Sequence, residues 1–120
     1  MSEVRFAVEM VSGVPVVVTP EEIDITNAAG LRAALLEAAG RGPGRVVVDM
    51  SRTRFCDTAG IHALVAAHKR AEAGRGEVRL VITGVAVLRI FAITGLDSAI
   101  PHFANLEDAL VATSRGTESS

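Results

Sequence analysis

The chain has 120 residues, 49% of them hydrophobic, and its 12 basic and 14 acidic side chains leave a formal net charge of −2. That length suits one domain with a single two-layer core. The charge balance, and the presence of four Phe without Trp or Tyr, exclude the basic footprint and aromatic platforms of a nucleic-acid binder.

The opening "MSEVRFAVEM" lacks the basic-then-apolar pattern of a signal peptide. No apolar run approaches the roughly 20 residues a membrane helix needs, so no membrane insertion is expected. A lone cysteine, Cys56, excludes a disulfide framework and a Cys-based zinc site within the chain. It fits a reducing cytoplasm.

Taken in order, residues 4–11 ("VRFAVEMV") read as a half-exposed strand, Gly13 as a turn, and 14–19 ("VPVVVT") as a second strand. "ITNAAGLRAALLEAAG" is helical, with Thr26 or Asn27 as its cap, Ala28, Leu31, Leu35 and Ala38 on one face, and a stop at Gly40. "RVVVDM" (45–50) is apolar enough to be a strand buried on both faces. The next helix starts near Asp57, presents Ile61, Leu64, Val65 and His68, and stops near residue 74. A strand is expected at 78–83, a short apolar helix after Gly84 ending at Gly95, a strand at 98–103, and a last helix at 105–114 capped by Asn105. The order β-β-α-β-α-β-α-β-α predicts an α/β domain over residues 1–114 with a disordered tail at 115–120. Its sheet is mixed and mostly parallel, with about five strands, and four helices pack mainly on one side.

Chemistry concentrates in "RFCDTAGIHAL" (54–64), at the C-terminal end of a strand where α/β sites gather. Three histidines, His62, His68 and His102, lack the spacing of a two-His metal site, so no metal is expected. The carboxylate beside Cys56 raises rather than lowers a thiol pKa, which favours packing over nucleophilic catalysis. Asp57 and Thr58 are good helix caps, and a helix start also tolerates a phosphate on Thr58; periodicity does not choose between these roles. The glycine-rich "GRGPGR" (40–45) lacks the Lys-Ser/Thr of a P-loop and reads as a turn. With no acid–base pair and no triad candidate, the chain is not expected to be an enzyme or to need a cofactor.

Three segments taken together resemble the STAS domain family of bacterial anti-sigma factor antagonists. "VVVTPEEIDITNAAGLRAAL" is similar to the family's strand, Gly-Glu-x-Asp motif and helix, with Glu22, Ile23 and Asp24 on the motif and Glu21 in place of the Gly. "VVVDMSRTRFCDTAGIHALVAAHKRA" resembles the strand, loop and Asp-Ser-Ser/Thr-Gly helix start. "VRLVITGVAVLRIFAITGLDSAIPHFANLEDALVA" resembles the closing section, so the likeness spans about residues 4 to 113.

The resemblance implies the STAS fold and an anti-sigma factor antagonist. Such a protein binds an anti-sigma factor that is also a serine/threonine kinase, releases the sigma factor, and is reset by a protein phosphatase. Carried over by position, Thr58 is the phosphorylation site, where Ser is the common acceptor. Glu22, Asp24, Asp57, Thr58, Ala59, Gly60 and Ile61 form the partner-binding set, Ala59 standing where many members carry a hydroxyl. A monomer or weak dimer is expected. The alternative is an unphosphorylated STAS subunit of a lipid transporter or of a stress-signalling complex.

Overall fold

The computed structural model describes residues 5–41 and 44–111. Two short strands, β1 (Glu9–Val11) and β2 (Val14–Val18), form a hairpin through Ser12 and Gly13. Both turn residues have positive φ, 52° and 80°, the turn whose twist matches that of the flanking strands. After them come β3 (Glu22–Ile23), α1 (Ala28–Ala39), β4 (Arg45–Met50), β5 (Phe55–Cys56) and α2 (Thr58–Ala73). The chain continues with β6 (Glu77–Ile82), α3 (Val85–Thr94), α4 (Leu96–Ala99), β7 (His102–Phe103) and α5 (Leu106–Leu110).

The main sheet has five strands in the order β1-β2-β4-β6-β7, antiparallel at β1–β2 and parallel at the other pairings. Every parallel pairing is bridged by helix, as such crossovers require. The central strands β4 and β6 are buried on both faces, which explains their unbroken apolar runs. One face carries the larger core, where Val17, Val46, Val48, Leu80 and Ile82 meet Leu31 and Leu35 of α1, Leu64 of α2, Phe91 of α3 and Leu96 of α4. The other face is smaller: Val14, Val16, Val47 and Val81 lie under Ala109 of α5. Helices thus sit mainly on one side, as expected.

Several expected boundaries shift for identifiable reasons. The first strand is three residues, not eight; residue 4 lies outside the described residues, and 5–8 run on beyond the ladder with Phe6 and Val8 against the core. Continuing the register would pair residue 5 with Pro20, which has no N–H, and residue 6 with Thr19, whose N–H bonds Asp49 O instead. A cleft of about 290 Å³ opens there, lined by Arg5, Phe6, Ala7, Val18, Thr19, Pro20 and Arg52.

Of the strand expected at 98–103, the first two residues fall in the single turn α4, the next two are irregular, and only His102 and Phe103 form β7. Gly95, at φ 82°, ends α3 and turns the chain so that Leu96 drops into the core and Ile100 N–H bonds Leu96 O. This one-turn helix makes five helices among the described residues rather than four. At α1, Asn27 occupies the N-cap position without capping, its side chain serving the preceding loop instead. The last helix is described as Leu106–Leu110, capped as expected by Asn105, which accepts the Asp108 N–H at 2.8 Å. The expected turn at "GRGPGR" falls partly, and the expected tail wholly, outside the described residues.

Candidate functional site: two loops welded at the start of α2

The segments β3 and β5, which periodicity does not reveal, decide the geometry of the site. They pair in parallel as a two-stranded sheet of their own, Glu22 opposite Phe55 and Ile23 opposite Cys56. Around them Arg54 N–H and Phe55 N–H both donate to Glu21 O, and Asp57 N–H donates to Ile23 O at 3.0 Å. The loop after β2 and the loop after β4 are thereby joined side by side. The loop of Glu22 and Asp24, more than thirty positions away in the chain, thus runs alongside the segment that leads into Asp57 and Thr58.

Asp57 is the N-cap of α2: its Oδ1 accepts Gly60 N–H at 3.2 Å and its carbonyl accepts Ile61 N–H at 3.0 Å. Thr58 follows as the first helical residue and is exposed, with Asp57, Ala59 and Ile61 half-buried. Gly60 is buried, and a Cβ there would lie 2.6 Å from both Cys56 Sγ and Ile23 Cγ2. Only glycine lets the first turn of α2 settle onto β3 and β5.

Asp24 organises the other loop. Its carboxylate accepts from the Thr26 side chain and, at 2.9 Å, from the Thr26 N–H, which holds its pKa below the ordinary carboxylate value. Its N–H donates to Asn27 Oδ1, and Asn27 Nδ2 reaches back to Glu22 O at 2.9 Å. Glu22 is exposed.

Among the described residues, the apolar side chains left uncovered near these loops include Ile25 at 81% exposure, Phe55 at 46% and Val85 at 68%. Ile25 follows Asp24, Phe55 is on β5, and Val85 opens α3, which packs against β5. Sequence reading missed all three. In an apolar-rich chain, nothing in the pattern separates them from core residues before the loops are placed.

The chemistry of the remaining candidates is closed off. Cys56 is buried among Ile23 and Gly60, and burial, with Asp57 adding to it, pushes its thiol up to about 12. We expect it to be inert to a thiol-specific disulfide reagent at pH 8 in the native protein and to react on unfolding; fast native labelling would contradict this packing. Because the folded thiol titrates above its ordinary value near 9.0, its contribution to stability is intact below pH 9 and falls as pH rises towards 12.

His68 has both ring nitrogens engaged. Nδ1 accepts Val78 N–H at 3.2 Å, and Nε2 faces Glu72 Oε2 at 3.2 Å, tying α2 to the start of β6. Among the described residues no group of three or more His, Cys, Asp or Glu could hold a metal ion. No helix among them is long and apolar enough to cross a membrane.

Comparison with known protein families matches residues 5–109 to the STAS domain. The chain belongs to the STAS domain family. Among curated relatives of this STAS domain is the anti-sigma-F factor antagonist RsfB of Mycobacterium tuberculosis, 30% identical over 106 residues, covering 88% of this chain and 85% of RsfB. Among solved structures, an anti-sigma factor antagonist from Mycobacterium paratuberculosis superposes with a TM-score of 0.78 at 32% identity, covering 88% of this chain and 89% of that one. A STAS domain protein from Planctomyces limnophilus shares the fold at a TM-score of 0.81 and 21% identity, covering 89% of this chain and 96% of that one. The STAS fold read from the three sequence segments is therefore the fold of this chain.

Proposed function

We propose that this STAS domain is an anti-sigma factor antagonist. It binds a cytoplasmic anti-sigma factor carrying serine/threonine kinase activity, releases the sigma factor held there, and is switched off by phosphorylation of Thr58 and on again by a phosphatase. The observation that carries this reading is the exposure of Thr58 at the first position of α2, next to the β3–β5 pairing that joins the loop of Glu22 and Asp24 to the loop of Asp57, in a chain whose curated relative is named an anti-sigma-F factor antagonist. The protein is the substrate and binding partner in this scheme, not the catalyst.

The uncovered Ile25, Phe55 and Val85 support a protein partner. They supply apolar area for a desolvated contact. A phosphate on Thr58 adds roughly −1.5 to −2 charges to that face. The helix start tolerates the charge, so the fold survives modification while a complementary interface does not. About 1.4 kcal/mol of lost complementarity is enough for a tenfold loss of affinity.

The test is incubation with ATP and the purified anti-sigma kinase of the same genome, followed by intact-mass measurement. A gain of one phosphate on the wild type, absent in Thr58→Ala, is expected. Thr58→Glu is expected to weaken binding to that kinase by about tenfold or more. Tight binding without any mass gain would remove the switch and leave the antagonist role. Absence of binding would remove both.

A further inference from the structure

Two buried hydroxyls lie beneath the welded loops, and neither belongs to the partner-binding set. Thr19, just past β2, and Thr53, just before β5, are each 1% exposed. Their Oγ1 atoms are 2.6 Å apart, and Thr53 Oγ1 lies 2.7 Å from Pro20 O. A carbonyl only accepts, so the Thr53 proton goes to Pro20 O. Thr19 must then supply the proton shared between the two hydroxyls. The longer contact from Thr19 Oγ1 to Asp49 O, at 3.4 Å, is secondary, because that carbonyl already receives Thr19 N–H at 3.0 Å.

The result is a directed relay, Thr19 to Thr53 to Pro20, that crosses from one loop to the other and back. Thr53 is also tied to the third loop at this end of the sheet. A Cβ on Gly84 would sit 3.0 Å from Thr53 O, and Thr83 Oγ1 donates to Ser51 O at 2.9 Å.

We infer that Thr53 is a positioning residue for the docking face: its buried hydroxyl, fed by Thr19, locks the loop bearing Glu22 and Asp24 to the loop bearing Asp57 and Thr58. The β3–β5 pairing alone is two residues per strand, too short to hold a fixed register. The relay adds the constraint that the ladder lacks. It sits below the face and touches no partner, so its effect on binding passes through the position of the loops. The effect on binding rests on the docking reading above; the lock itself does not.

Amide hydrogen exchange on Thr53→Val and Thr53→Ser separates the two. Valine keeps the shape and removes the hydroxyl, leaving Pro20 O without its donor. In Thr53→Val, the amides of Arg54, Phe55 and Asp57, which donate across the loops, should exchange about tenfold faster, while that of Leu80 in β6 changes little. Serine restores the hydroxyl and should restore protection. Thr19→Val, which removes only the first donor, should give a smaller shift at the same amides.

Unchanged protection in Thr53→Val, or equal acceleration at Leu80, overturns the lock. If the loops loosen selectively, affinity for the anti-sigma kinase should fall severalfold in Thr53→Val and recover in Thr53→Ser. Selective loosening with wild-type affinity overturns the positioning role while leaving the lock and the antagonist reading in place.

Discussion

Replacing Arg79 with Ala is expected to lower the unfolding free energy by roughly 3–5 kcal/mol, read as a reduced urea midpoint. Arg79 lies on the central strand β6 with its side chain 6% exposed, on the face away from α1 and α2. Its Nε pairs with Glu77 Oε2 at 2.6 Å. Nη1 donates to Ala109 O at 3.1 Å and to Val111 O at 2.6 Å, and the guanidinium carbon lies 5.4 Å from the centre of the Phe103 ring. The guanidinium thus meets the carbonyls at the end of α5, where helices leave acceptors unpaired.

A five-residue helix has no stability of its own, so α5 depends on this anchor and on the burial of Ala109. Without it, Glu77 loses a buried partner and the apolar face of Val14, Val16, Val47 and Val81 loosens its cover. Arg79→Met keeps much of the stem's packing and should cost less than Ala, and Arg79→Lys should not rescue, because an ammonium lacks the planar fork. A loss below about 1 kcal/mol for Ala would mean that the guanidinium does not hold α5.

Gly60→Ala is expected to destabilise by about 2 kcal/mol, although alanine is the better helix former by up to about 1 kcal/mol. The added Cβ would meet Cys56 Sγ and Ile23 Cγ2, both fully buried. The first turn of α2 must then lift from β3 and β5, carrying Thr58 with it. Combining Gly60→Ala with Cys56→Ala removes one of the two collisions, so the pair should couple by at least about 0.5 kcal/mol in a double-mutant cycle. A Gly60→Ala protein as stable as the wild type would show that the helix start is not seated as described.

Local chemistry made most of the architecture legible. The unbroken valines of β4, the capping pattern at Asp57 and Asn105, and the glycine ending α3 each act within a few residues. The errors arose where a competing hydrogen bond or burial in the core outweighed the pattern expected for the segment. Asn27 sits at a cap position, yet its amide is better used bridging Asp24 and Glu22. The stretch 98–103 looks like a strand until Leu96 is drawn into the core.

The same division holds at the candidate site. The residue types at Glu22, Asp24, Asp57, Thr58 and Gly60 are readable as motifs because each serves its own loop or helix start. The joining of their two loops is a tertiary matter, made by a two-residue ladder, a pair of buried threonines and a glycine that admits a neighbouring sulfur and methyl group. The ladder, the threonine pair and the Gly60–Ile23 approach have no period, since they join segments more than thirty residues apart. By itself the sequence determined the α/β class, the order of the elements and the likeness to the STAS family, because hydrophobic pattern and capping are local. Only the tertiary structure decided which loops lie side by side, since that depends on backbone hydrogen bonds between segments whose residues carry no repeating signal.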